Sequence, residues 1–242
     1  MKLDILAFGV HPDDVELSCS GTLMVEIANG KQVGVIDLTR GELGTRGTAD
    51  TRKEEAAIAA KIMGVHVREN LGMRDGFFIN DEAHQLKIIQ KIRQYKPEIV
   101  LCNAIVDRHP DHGRSSKLTS DACFLSGLRK IETELNGEKQ EAWRPKYVFH
   151  YIQDRYAEPD FIFDISSVFD RKVESIKAYA TQFNSPGLDE PQTYISTPAY
   201  FDTLISRHKM FGKRIGVEYG EGYITEKRIG IRSFDAIIQV TT

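Results

Sequence analysis

Leu3-Asp4-Ile5-Leu6-Ala7-Phe8-Gly9-Val10, an almost continuous apolar run that stops at His11-Pro12-Asp13-Asp14, decides the fold. Such a run, without polar alternation, is the pattern of a strand buried on both faces of a sheet. It therefore asks for covering layers on either side, and the next hundred residues supply them. The spacing predicts a helix over Val15–Asn29 stopped by Gly30, a strand over Gln32–Leu38, a Gly-rich loop over Thr39–Gly47 and a helix over Thr51–Met63 ended by Gly64. A short strand over Val65–Asn70, a helix over Glu82–Tyr95 before Pro97, and a buried-type strand over Glu98–Cys102 continue the alternation. Strand and helix in turn predict an α/β fold, Rossmann-like, with a mostly parallel sheet flanked by helices.

The C-terminal part is less regular. Strands are expected over Lys146–Ile152 and Phe161–Ile165, helices over Val168–Gln182 and Ala199–Ile215, and a last strand over Phe234–Val240. With no repeat, low-complexity tract or linker, residues 1–242 read as a single domain. A net charge of -3 argues against a nucleic-acid partner, which normally wants a basic face. No apolar run approaches the ~20 residues that span a bilayer, and the N-terminus lacks a signal pattern, so no membrane association is expected. Cys19, Cys102 and Cys123 are odd in number and widely spaced, which reads as reduced, buried thiols of a cytoplasmic protein.

A second unusual loop, Asp107-Arg108-His109-Pro110-Asp111-His112, follows the strand that ends at Cys102. Ligands of open α/β sheets bind at the carboxyl ends of the strands. The two loops therefore belong on one edge. Separately each has a plainer reading: Asp13 or Asp14 as a helix N-cap, His11 as a core histidine, His109 and His112 as turn residues. Together, two loops built of His, Pro and Asp point to a metal. Two neutral imidazoles and one carboxylate leave a divalent ion with charge +1 and an open position, able to polarise a carbonyl and acidify water. His66, His84, His150 and His208 have no partner at metal spacing.

The pair His11-Pro12-Asp13-Asp14-x-Glu16 and His109-Pro110-Asp111-His112 resembles the PIG-L/LmbE-like zinc N-deacetylases. Leu38-Thr39-Arg40-Gly41-Glu42, Arg52, Tyr194, His208-Lys209-Met210-Phe211-Gly212 and Glu218-Tyr219-Gly220-Glu221 extend the likeness over nearly the whole chain. The nearest branch is similar to the bacillithiol biosynthesis deacetylases, which act on N-acetylglucosaminyl malate. The resemblance implies one Zn2+ per chain on His11, Asp14 and His112, with Asp13 as general base. It makes His109 the charged group facing the oxyanion, oriented by Asp111. Arg52 is implied to position Asp13 or bind substrate, Tyr194 to add a hydrogen bond to the oxyanion, and the chain to assemble as a trimer or hexamer.

Some sugar deacetylases of this family carry an aromatic residue before His-Pro-Asp-His, where this chain has Asp107-Arg108. A cationic rim suits an anionic substrate, and Arg40, Arg46 and Arg108 are the candidates for holding a malate carboxylate. Other N-acetylglucosamine derivatives, such as chitin oligosaccharides, are the alternative substrates. A metal-dependent phosphoesterase would want more carboxylates, often for two ions. A dinucleotide site would want G-x-G-x-x-G where this chain has His-Pro-Asp-Asp. A structural zinc site would be closed by a fourth ligand, usually cysteine.

Overall fold

The computed structural model describes residues 1–183 and 191–236. A seven-stranded sheet forms its centre, built from β1 (Ile5–Gly9), β2 (Val33–Thr39), β3 (Val67–Met73), β4 (Ile99–Cys102), β7 (Tyr147–Tyr151), β8 (Phe161–Asp164) and β9 (Gly220–Thr225). The order is β3-β2-β1-β4-β7-β9-β8; the first five are parallel, while β9 runs antiparallel to both β7 and β8. β1 is central, with Ile5 paired to Val33 on one side and to Ile99 on the other.

Successive side chains of a strand point to opposite faces, and β1 fills both. Leu6 and Phe8 join the layer of Ile88, Ile89 and Ile92 on α4 (Glu82–Tyr95) and Leu118 and Ala122 on α5 (Pro110–Leu125). Ile5 and Ala7 join the other layer, with Val15, Leu23 and Phe169. That double burial is why the run shows no polar alternation. Among the described residues, no helix is long and apolar enough to cross a membrane. All three cysteines are buried and free.

The expected helix over Val15–Asn29 is two helices, α1 (Asp14–Ser18) and α2 (Ser20–Ala28), broken at Cys19. The break is satisfied from far along the chain. The Lys172 ammonium, on α6 (Phe169–Lys177), donates to the Glu16 carbonyl at the end of α1 (2.8 Å). The Glu221 carboxylate, on β9, accepts from the amides of Gly21 (2.9 Å) and Thr22 (2.8 Å) at the start of α2. Lys172 and Glu221 are themselves 2.8 Å apart and fully buried. The approach requires glycine at position 21, since a Cβ there would lie 2.7 Å from Ile165.

Further differences separate expectation from structure, among them the helix expected over Val168–Gln182, which ends at Lys177. The stretch Asp107–His112 is a loop only as far as His109; Pro110 opens α5, and proline suits the first helical position because its missing N–H would find no partner there. β9 carries two glycines and no apolar alternation, and it is a strand because β7 and β8 flank it. Phe234–Ala236 form a 3-10 turn in place of the expected strand, whose remainder lies outside the described residues. A small hairpin, β5 (Glu134–Leu135) and β6 (Glu138–Lys139), was also unforeseen, while α3 (Ala49–Met63) and α7 (Pro198–Ile215) match their expected spans closely.

Candidate active site

A cavity of about 420 Å³ opens at the carboxyl edge of the sheet. All five parallel strands feed it: β1 through His11, Asp13 and Asp14, β2 through Gly41–Thr45, β3 through Asp75, β4 through Arg108, His109 and His112, and β7 through Gln153 and Asp154.

The chain leaves β1 in a tight turn. Asp13 adopts φ 127°, a conformation that L side chains rarely take. The next residue then folds back, so that Asp14 Oδ2 accepts from the amides of Val10 (2.9 Å) and His11 (3.0 Å) and from Asn103 Nδ2 (3.0 Å). Gln153 Nε2 donates to Asp14 Oδ1 at 3.2 Å. Neither aspartate is a simple helix cap: Asp13 makes no capping bond, and Asp14 takes its amides from upstream.

Around Asp14 the imidazoles converge. His112 Nε2 lies 3.1 Å from Asp14 Oδ1, and His11 Nδ1 lies 3.8 Å from Asp14 Oδ2. Each ring is held from behind by a carboxylate: His11 Nε2 by Asp75 (2.9 Å) and His112 Nδ1 by Asp107 (2.6 Å). This is the outer arrangement that fixes a metal-bound imidazole's tautomer and raises its basicity. His109 completes the cluster, its ring centroid 4.8 Å from that of His11 and 5.2 Å from that of His112. The donor chemistry suits a divalent metal ion: ligand atoms of His11, His109 and His112 lie within 4.8 Å of one another, as do those of His11, Asp75 and Asp111, and the Asp14 carboxylate lies against both His11 and His112.

Electrostatics follow the geometry. Burial raises the Asp13 carboxyl to about 7, against the lowering effect of Arg52, whose Nη1 is 3.5 Å away. For Asp14, burial is outweighed by His112 and His11, and it stays well below the usual carboxylate range. Burial would lower both imidazoles, but the carboxylates of Asp111, Asp75 and Asp14 hold His11 up at about 10, and Asp14 and Asp107 hold His112 at about 9. His109 is lowered by burial and by its two imidazole neighbours.

Arg52 donates to the Pro12 carbonyl (3.0 Å) and to Gln182 Oε1, which fixes it beside Asp13. The contact between Asp111 and His109 runs through the main chain, with the Asp111 amide donating to His109 Nδ1 at 3.3 Å. The Asp111 carboxylate is bonded instead to Arg114 (2.6 Å) and the Gly76 amide (2.9 Å), because α5 starts at Pro110 and turns that side chain toward β3. The Tyr194 hydroxyl donates to Asp154 (3.0 Å) at the cavity rim, with Arg108 stacked on its ring (4.3 Å). Of the three arginines expected to meet substrate, Arg108 alone lines the cavity. Arg46 is buried and committed to the Thr181 carbonyl (2.7 Å), and Arg40 is exposed. Sequence reasoning missed Asp75, Asn103, Gln153 and Arg207. The first three follow parallel strands at this edge, a position that marks them for attention.

The match of this chain to known proteins agrees with the site. The family model PIG-L: GlcNAc-PI de-N-acetylase matches residues 6–123. A conserved protein of known structure from Thermus thermophilus, TT1542, is 34% identical, with a TM-score of 0.84 over 95% of this chain and 97% of that one. The diacetylchitobiose deacetylase of Thermococcus kodakarensis is 26% identical over 229 residues, covering 90% of this chain and 81% of that protein. The probable N-acetyl-alpha-D-glucosaminyl L-malate deacetylase 2 of Bacillus subtilis is 27% identical over 199 residues, covering 75% and 84%. Fold, site and matches together place the chain in the PIG-L family. The matching family model describes a de-N-acetylase, and the Thermococcus and Bacillus relatives are both named as deacetylases.

Proposed function

We propose that the chain hydrolyses the N-acetyl group of an N-acetylglucosaminyl substrate carrying an anionic aglycone, of which N-acetylglucosaminyl malate is the best fit, with zinc held by His11, Asp14 and His112. The observation that carries the reading is the convergence of His11 Nδ1 and His112 Nε2 on Asp14, each ring anchored by its own carboxylate, beside an Asp13 carboxyl raised to about 7. Zinc at that point supplies a Lewis acid for the acetamide carbonyl and lowers the pKa of water.

The chain's own groups do the rest. Asp13 takes the proton of the attacking water; a base raised toward neutral pH by burial is matched to that task. Arg52 keeps Asp13 in place and restrains its rise. His109 Nδ1 is occupied by the Asp111 amide, which leaves Nε2–H to donate to the carbonyl oxygen as it gains charge. The tetrahedral species then collapses, and the amine leaves with a proton from Asp13 or His109, giving acetate and the free amino-sugar. Tyr194 reaches the oxyanion only by leaving Asp154. The cytoplasmic location and the trimeric or hexameric assembly implied by the motif resemblance belong to the same reading.

Amine release by zinc-loaded protein tests it, with N-acetylglucosaminyl malate, N-acetylglucosamine and diacetylchitobiose side by side. Preference for the malate glycoside is expected. Equal efficiency on all three would remove the malate assignment. The similarity to a diacetylchitobiose deacetylase favours a chitin fragment as the second reading.

A further inference from the structure

Three arginines line the cavity, and they differ in charge balance. Arg52 lies 3.5 Å from Asp13, and Arg108 Nε lies 3.3 Å from Asp154. Arg207, on α7, has no carboxylate partner among the described residues. Its two Nη atoms donate to main-chain carbonyls, those of Gln153 and Leu17 (3.3 Å), and its Nε is buried without a hydrogen-bond partner. Carbonyl dipoles satisfy donors but leave the positive charge unbalanced. Arg207 is half-buried, and a charge partly withdrawn from water without a counter-charge is costly unless something supplies one.

Three more residues of the same cavity carry an orphaned atom: Arg52, whose Nε lacks a partner, Ser18 and Thr193. Ser18, the last residue of α1 and next to Leu17, is 3% exposed, and its Oγ has no partner. Thr193 Oγ1, in the segment before α7, is also buried and unpartnered. A cation and two hydroxyl residues from three separate segments, each with one polar atom lacking a partner, thus line one cavity. Native interiors rarely leave such groups unsatisfied, and each one calls for an explanation.

We infer that Arg207, with Ser18 and Thr193, forms a subsite for a carboxylate on the group attached to the amino-sugar. The inference rests on the deacetylase reading for what is attached, but not for the anion itself. A guanidinium pairs with a carboxylate in bidentate fashion, and hydroxyls donate to the remaining lone pairs. Arg108 at the rim is half-balanced by Asp154 and stacked on Tyr194, so it guides the anion inward, and Arg207 receives it. The malate carboxylate is thereby assigned to Arg207 and Arg108, and Arg40 and Arg46 are released from that role.

The probe is L-malate, titrated calorimetrically into zinc-loaded protein and into its Arg207→Gln and Arg207→Lys variants. The Gln variant should bind at least about tenfold more weakly, the loss expected of one charge-assisted contact. The Lys variant, which keeps the charge and loses the fork, should fall between. Binding by a folded Gln variant as tight as that of the parent overturns the subsite, as does a parent that does not bind L-malate. A second readout separates binding from positioning. In Arg207→Gln the ratio of kcat/KM for N-acetylglucosaminyl malate over N-acetylglucosamine should fall about tenfold, mainly through KM. An equal fall on both substrates would mean that Arg207 acts only by holding Gln153, and the subsite would be lost. L-malate binding that depends on Arg207, with no amine released from any N-acetylglucosaminide, would keep the subsite and overturn the deacetylase reading.

Discussion

His112 Nδ1 sits 2.6 Å from a carboxylate oxygen of Asp107, which turns the ring's other nitrogen onto Asp14 at 3.1 Å. The aspartate five residues upstream, in the loop before α5, therefore sets which nitrogen faces the candidate metal position. Asp107→Asn should weaken zinc binding by about 10–100-fold, the usual consequence of losing an outer carboxylate. Competition with a chelator of known affinity measures it, and an unchanged affinity would remove Asp107 from this role. Asp75→Asn, behind His11, should act in the same direction.

Metal loading should be coupled to protons. In the metal-free protein His11 is held at about 10 and His112 at about 9, so both are protonated at neutral pH. Binding at His11 Nδ1 and His112 Nε2 displaces one proton from each. Apparent affinity should therefore rise by about 100-fold per pH unit up to about pH 9. Titrations in buffers of different ionisation enthalpy count the protons. The same values set the metal-free stability. Folded pKa values above the unfolded 6.5 give stabilisation that is complete below pH 6.5 and is lost as pH rises through 9 and 10. Chelator-treated protein should thus melt at a lower temperature at about pH 9.5 than at about pH 6.5.

Replacement of Asp13 should separate chemistry from binding. Asp13→Asn should lower kcat by about 10²–10⁴-fold with zinc still bound, the range for loss of a general base. Near-normal turnover would assign the proton transfer elsewhere. Asp13→Gly should lose activity similarly yet raise the melting temperature, because glycine adopts φ 127° without the strain of about 1 kcal/mol that a side chain incurs there.

The Lys172–Glu221 pair should be intolerant of single changes. Lys172→Met leaves a buried carboxylate, and Glu221→Leu leaves a buried ammonium, each at about 3–5 kcal/mol. The double variant should recover only part of the loss, since the amides of Gly21 and Thr22 would still lack their acceptor. Denaturant midpoints for the three proteins measure the coupling. Full recovery would show that Glu221 acts through its charge alone.

The parallel half of the sheet was legible because burial on both faces writes a continuous apolar run into β1, and because each helix carries its own stop. The converging residues His11, Asp14 and His112 were legible for a related reason: each follows a strand, and parallel strands deliver their ends to one edge. What was not legible depends on partners distant in sequence. Helix 15–29 looks continuous until Lys172 and Glu221 take over the backbone groups at Cys19. β9 has no strand signal of its own and exists because it lies between β7 and β8. Arg46 sits in a polar, Gly-rich loop and reads as a substrate-facing charge, yet the Thr181 carbonyl draws it inward. Arg207 reads as one charge on a basic helix, and only the tertiary fold places it in the cavity without a counter-charge.

The broken helix also orders events in time. The family match ends at residue 123, and by then the growing chain holds His11, Asp13, Asp14, His109 and His112. Yet the helix pair that begins at Asp14 has its junction closed by side chains at positions 172 and 221, and β9, which carries the second, enters the sheet between two strands made earlier. A nascent chain leaving the ribosome would therefore expose its histidines and aspartates long before they are locked in place. The junction can close only once Lys172 and Glu221 are both present, and a protein cut short before Gly220 would keep both motifs without the clasp that fixes them.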